Sequence, residues 1–308
     1  MKVLVIGGSG ALGNRVTRLL VEAGHDVRAT ARGDSAQDDV RRSGAEPIAV
    51  DVYDGRALHE AVGGHRAVLR LTTKIPPLLK MRSDGAWRET GRLRNESAAL
   101  IVDACLARSV AVYVHESVSF VYSDGGDDWL TEQAPVDVDR AAPLRDALRG
   151  EANATRFIGA GGRGVVLRFA GLYSADSPQA AAMASLARRR RLALIGRSVN
   201  WFSSIHTDDA ARAVVAALDA PAGVYNVADD EPVRLSAYMQ AMAAAAGAPP
   251  LRRLPAALGP IALGTTWRYL RRSQRVSARK LTEATGWRPA VPDAHEGWRR
   301  IAERWAGA

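Results

Sequence analysis

A chain of 308 residues with 47% apolar side chains is long enough for one large domain or two and too apolar to stay disordered. Its single cysteine, Cys105, excludes an internal disulfide and fits a reducing, cytoplasmic setting. The net charge of +9 comes from dispersed arginines with one run, at 188–191, closing a helical pattern where cations suit the helix dipole, so no nucleic-acid partner is expected. No apolar stretch reaches the length of a membrane span, and no membrane partner is expected either.

The first element is Val3-Leu4-Val5-Ile6, too short for a signal peptide and β-branched enough for a buried strand. Gly7, Gly8, Ser9, Gly10, Ala11, Leu12 and Gly13 follow, and apolar residues then recur at Leu12, Val16, Leu19, Leu20 and Ala23 with helical spacing. Strand, glycine turn and helix in that order are the context a Gly8-x-Gly10-x-x-Gly13 fingerprint needs. One glycine makes the tight turn, the next lets the backbone approach a pyrophosphate, and the third lets the helix pack close to the strand. The helix N-terminus then offers free N–H groups to the anion.

Residues 26–31 read as the second strand. A carboxylate at its end would hold the 2′-hydroxyl of a ribose. Arg32 stands there instead, and a guanidinium forks onto a phosphate. NADP is therefore the expected cofactor, with Asp34 close enough to keep NAD open. Residues 45–50 form the third strand and deliver Asp51 and Val52 toward the adenine. Residues 67–71 form the fourth, followed by Thr72 and Thr73 where the chain passes the cofactor. Residues 75–87 break regular structure and carry Trp87, a candidate lid. A helix is expected over 92–108, with Cys105 filling its apolar face. The fifth strand, 111–115, leads into Glu116, Ser117, Val118, Ser119, Phe120, Val121 and Tyr122. This alternation predicts an α/β architecture, a Rossmann-like doubly wound parallel sheet with a smaller C-terminal substrate region. Residues 1–170 would bind the dinucleotide. Residues 171–308 would build mainly the substrate side, with some segments returning to the sheet.

Beyond the glycine turn, further stretches fall in an order that resembles the extended short-chain dehydrogenases/reductases of the NAD-dependent epimerase/dehydratase type. They include Leu93-Arg94-Asn95-Glu96-Ser97 and residues 164–173, 205–211, 223–232 and 280–289. The resemblance implies a Rossmann-like fold, a nicotinamide cofactor and a catalytic Ser or Thr with Tyr-x-x-x-Lys, in which the Lys lowers the pKa of the Tyr and the phenol moves the substrate's proton. The chain departs from that pattern. Aligning Glu151 with a glutamate that often follows the family lysine puts Pro143 in the Tyr slot and Ala147 in the Lys slot. No Tyr-x-x-x-Lys occurs anywhere in the sequence.

The Ser/Thr slot falls on Val118, flanked by Ser117 and Ser119. Ser117 as hydrogen-bond donor and Tyr122 as acid are the catalytic candidates, with His115, Glu116, Asp124 and Tyr173 behind them. Asp124-Gly125-Gly126-Asp127-Asp128 reads as a turn and not a metal loop. His206, Asp208 and Asp209 read as a helix start, and no metal is expected. The expected function is an atypical NADP-dependent oxidoreductase of a small organic substrate, working without the Tyr/Lys relay. A non-enzymatic NADP-binding regulator is the second reading, and a nucleotide-sugar epimerase or dehydratase, which needs the lost Tyr, the third. Homodimer formation is left open.

Overall fold

The computed structural model describes residues 1–138 and 141–307. Seven strands form the central sheet: β1 (Lys2–Ile6), β2 (Asp26–Thr30), β3 (Glu46–Ile48), β4 (Ala67–Arg70), β5 (Val112–Val118), β6 (Arg163–Phe169) and β7 (Gly223–Val227). They are all parallel, in the order β7-β6-β5-β4-β1-β2-β3. The chain steps outward from β1 to β3, then crosses back to β4 on the other side. The strand order therefore reverses between β1 and β4, and the crevice at their carboxyl ends is where such sheets bind ligands.

Both faces of the sheet are covered, which is why its central strands are near-continuous apolar runs. Val3, Val5, Leu69, Val114 and Leu167 pack with Val16 and Leu20 of α1 (Ala11–Glu22) and with Ala210 and Val214 of a later helix, Thr207–Ala216. On the other face Leu4, Ile6, Val68, Tyr113 and Val166 meet Leu58 of α2 (Gly55–Val62), Ile101 of α3 (Ala98–Ala107) and Phe157 of α4 (Ala142–Gly159). Cys105 is fully buried there, as expected of a core filler, and burial pushes its thiol up to about 12.

Three boundaries differ by more than one residue from the sequence expectation. The fifth strand runs on to Val118, so Glu116 and Ser117 lie within it, because pairing with β6 continues through Val118 opposite Phe169. The third strand is only Glu46–Ile48. The helix expected over 92–108 is composite: an α turn Arg88–Arg92, a π turn Leu93–Ser97, then α3. A π turn leaves no mark on apolar periodicity and is often found at functional sites.

Past residue 170 the chain builds short two-stranded ribbons, such as Gly171–Tyr173 with Ser204–His206 and Trp201–Phe202 with Val233–Arg234. They enclose an aromatic core of Tyr173, Tyr238 and Trp298. β7 and the helix Thr207–Ala216 return to the sheet, the helix packing on the same face as α1.

Candidate active site and cofactor cleft

The glycine turn sits at the end of β1. Gly7 has φ +99°, in the region that favours glycine, and its N–H donates to Thr30 Oγ1 at 2.9 Å. A Cβ on Gly13 would lie 2.0 Å from the Gly7 carbonyl oxygen, and one on Gly8 would lie 2.5 Å from the Ala29 Cβ. These glycines therefore set the spacing of β1, α1 and β2. A Cβ on Gly10 would meet only the Gly7 oxygen, at 3.4 Å. α1 starts at Gly10 with no side-chain cap and no acidic residue in its first turn. Its first N–H groups are thus free, and Ser9, Gly10 and Ala11 are exposed. A cradle that a Cβ would fill, beside an uncapped helix N-terminus, fits a dinucleotide pyrophosphate.

The other cofactor candidates line the same edge. Leu12 is half-buried at the start of α1. Arg32 follows β2, exposed and with no ion-pair partner among the described residues. Asp51 is exposed and accepts from the Tyr53 N–H at 3.0 Å, while Val52 is buried beside it. Thr72 is half-buried, its hydroxyl meets no partner among the described residues, and its Cγ2 lies 3.1 Å from where a Gly7 Cβ would stand. Thr73 is exposed. The segment after it carries two 3-10 turns, Leu78–Lys80 and Asp84–Trp87, and is tied to the helix Thr265–Leu270. There Thr265 Oγ1 donates to Asp84 at 2.5 Å and Thr266 Oγ1 to the Met81 carbonyl at 3.1 Å.

The two catalytic candidates face inward and meet the same buried pair, Glu151 and Arg168. Ser117 is 1% exposed and its hydroxyl donates to Glu151 Oε1 at 2.6 Å; Glu151 in turn grips Arg168 through contacts of 2.9 and 2.7 Å. Tyr122 is fully buried, donates to Asn226 Oδ1 at 2.7 Å, and has Arg168 5.0 Å from its ring centroid. Burial holds the Tyr122 phenol above its ordinary pKa. The two residues that the sequence alignment set in the relay slots cannot ionise. Pro143 and Ala147 are buried in the first turns of α4, with Leu144 and Ala147 sharing an apolar cluster with Val121 and Tyr269, and Val118 and Phe120 packed against it.

The remaining candidates are accounted for by structure. Asp124 Oδ1 accepts from the Gly126 and Ser273 N–H groups, the turn chemistry expected of that segment. His206 caps the helix Thr207–Ala216, with Asp208 and Asp209 in its first turn. Tyr173 packs on Trp298 with ring centroids 5.3 Å apart. No cluster of three or more metal-ligating side chains occurs among the described residues. The sequence reading missed the Glu151–Arg168 pair, and it passed over Arg70 and Arg94. The signal was present: an arginine inside the buried run Ala67-Val68-Leu69-Arg70-Leu71 has to meet a partner.

The family model of the NAD dependent epimerase/dehydratase family matches residues 3–228. A 3-diazoavenalumate denitrifying reductase from a Streptomyces species is 33% identical over 307 residues, covering 96% of this chain and 99% of that one. A 2-alkyl-3-oxoalkanoate reductase from Stenotrophomonas maltophilia is 28% identical over 81% of this chain and 77% of its own. A human epimerase family protein solved with NADPH superposes with a TM-score of 0.80 at 23% identity, covering 98% of this chain and 99% of that one. Thermus thermophilus UDP-glucose 4-epimerase, solved with NAD, gives 0.79 at 21% identity over the whole of both chains. The chain belongs to the NAD-dependent epimerase/dehydratase family. Within it, the chain is an NAD(P)-dependent oxidoreductase acting on a small molecule. No helix of the described residues is long and apolar enough to cross a membrane.

Proposed function

We propose that this protein is an NADPH-dependent reductase that delivers hydride to a small electrophile needing no proton from the protein in the hydride step, and that its substrates carry a nitrogen–nitrogen multiple bond of the diazo type. The observation that carries this reading is the pair Pro143 and Ala147, buried and unable to ionise where the family keeps its acid and its pKa-setting cation. Hydride addition to a carbonyl leaves an alkoxide that has to be neutralised. Hydride addition to a cationic diazonium leaves a neutral species, so a site without a relay serves it. The full-length likeness to a reductase named for a diazo compound supports the same choice.

Bound NADPH supplies the hydride. The chain's own residues bind, orient and exclude water. Gly8, Gly10 and the free N–H groups of Ala11, Leu12 and Gly13 receive the pyrophosphate. Arg32 takes the 2′-phosphate, Asp51 the adenine amino group, and Thr72 and Thr73 flank the nicotinamide side. Val118, Pro143 and Ala147 present an apolar wall at the reacting end. Ser117 and Tyr122, the sequence candidates for donor and acid, are better read as positioning residues. Their hydroxyls are spent on Glu151 and Asn226, and they anchor the end of β5 beneath the cleft. Following NADPH absorbance with an aryl diazonium and with a panel of carbonyl compounds tests the proposal. Turnover of the diazonium is expected. No turnover of any compound, with NADPH bound, would favour a regulator.

A further inference from the structure

Between β4, β5 and the helices that cover them lies a buried cluster of positive groups that the cofactor cleft does not use. Arg70 ends β4 and is fully buried; Arg94, in the π turn, is 2% exposed. Arg70 Nη1 donates to the Glu116 carbonyl at 3.2 Å and to its carboxylate at 3.4 Å. Arg94 Nη1 donates to the Pro143 carbonyl at 3.0 Å. Beyond these bonds, Arg70 Nε and Nη2 and Arg94 Nε meet no acceptor among the described residues.

His115 belongs to the same cluster. It is fully buried, and burial together with the two arginines holds its imidazole neutral. The Tyr113 hydroxyl lies 3.0 Å from Nδ1. With that hydroxyl donating, the ring proton sits on Nε2, which also meets no acceptor. The ring and the Arg94 turn close on each other across Gly150, where a Cβ would stand 2.8 Å from both His115 Nε2 and the Arg94 carbonyl oxygen. Ser97, buried one turn along from Arg94, carries a further open hydroxyl.

Charge and donor count point the same way. Two guanidinium groups, which stay charged in proteins, share one carboxylate, that of Glu116. The next, Asp146, acts on Arg94 only through space and is itself bonded to Asn95 and Arg149. With the Tyr113 hydroxyl donating to His115, every open group except the Ser97 hydroxyl is a donor only. A water placed among them accepts twice but brings two hydrogens that need acceptors of their own. An anion accepts from every side and offsets the surplus charge.

We propose that Arg70, Arg94 and His115 hold a compact monovalent anion of chloride size. The near-complete burial of all three excludes a phosphate ester or a substrate. Holding Arg94 on the Pro143 carbonyl, the anion fixes the first turn of α4 against the cleft.

Crystals of the full chain soaked in sodium bromide and measured at the bromine edge test this directly. An anomalous peak is expected within hydrogen-bond reach of Arg70 and Arg94. In solution, the melting temperature in chloride should exceed that in gluconate of equal ionic strength by about 3 °C or more, because gluconate is too large to enter. Arg94→Leu should abolish that increment, since Arg70 and Glu116 then balance. Should Arg94→Leu fail to fold, Ser97→Ala is expected to shrink the increment, and the bromide measurement needs no variant. An ordered water in the cluster, a bromide peak only at the surface, or a peak without chloride-dependent melting (an adventitious ion only) overturns the proposal.

Discussion

Gly13 and Gly10 belong to one motif but carry different loads. A methyl on Gly13 meets the Gly7 carbonyl at 2.0 Å, and neither backbone can yield without parting β1 from α1. Gly13→Ala is therefore expected to lower the melting temperature and abolish NADPH binding together. Gly10→Ala meets nothing closer than 3.4 Å, so it should keep the wild-type melting temperature and lose affinity by crowding the pyrophosphate alone. Calorimetric titration beside thermal melting separates the two. At Arg32, alanine should weaken NADPH binding by about 1.5–3 kcal/mol, the worth of a charge-assisted pair, and leave NADH affinity unchanged; equal losses would refute the 2′-phosphate assignment. The glycine turn could be read from the sequence because its demands are local, falling within seven consecutive residues. The orientation of Ser117 and Tyr122 could not, since their partners Glu151 and Asn226 lie 34 and 104 positions away.

Among the elements, β5 and α4 are locked to β6 by one buried pair. The Glu151 and Arg168 side chains are each 9% exposed. Removing one partner strands the other's charge, so Arg168→Met is expected to cost about 3–5 kcal/mol in denaturant unfolding. The double variant Glu151→Leu/Arg168→Met should recover a large part of that loss, and a double variant no more stable than the single would show that the pair is not coupled. Apolar spacing was enough to place α1 and the helix that ends in α3, whereas α4, with Pro143 in its first turn where its missing N–H costs nothing, was expected only through the family resemblance. The π turn and the length of β5 were not, because strand length here follows from pairing with β6, a partner the local pattern does not show.

Across the whole molecule, the alternation of strands and helices was enough to expect the parallel sheet, and the strand order follows once β4 crosses over β1. The C-terminal half was legible only in outline, because its ribbons of two or three residues per strand carry no periodicity. One buried acid lies where the chain leaves β7. Asp229 follows β7, accepts from Ser204 Oγ at 2.9 Å, and is 2% exposed. Burial pushes its carboxyl up to about 8, against about 3.9 in an unfolded chain. The folded state thus keeps a proton that the unfolded state releases. This contribution to stability is fully present below about pH 4, declines as pH rises, and is gone above the folded value. Thermal melting of Asp229→Asn should show a shallower decline from about pH 4 to 8 than wild type, and a higher melting temperature at the upper end. An unchanged slope would contradict the burial argument.

In the proposed function, hydride transfer needs no acid from the protein. Single-turnover NADPH oxidation with an aryl diazonium, in wild type and in Tyr122→Phe, from roughly pH 5 to 7, where a histidine-like acid would titrate, decides this. A rate flat across that range and a variant within about threefold of wild type are expected, against the roughly 10²–10⁴-fold that a general acid contributes. A rate that falls with rising pH, or a Tyr122→Phe variant slowed a hundredfold or so with NADPH affinity intact, would place a proton donor in the site and contradict it.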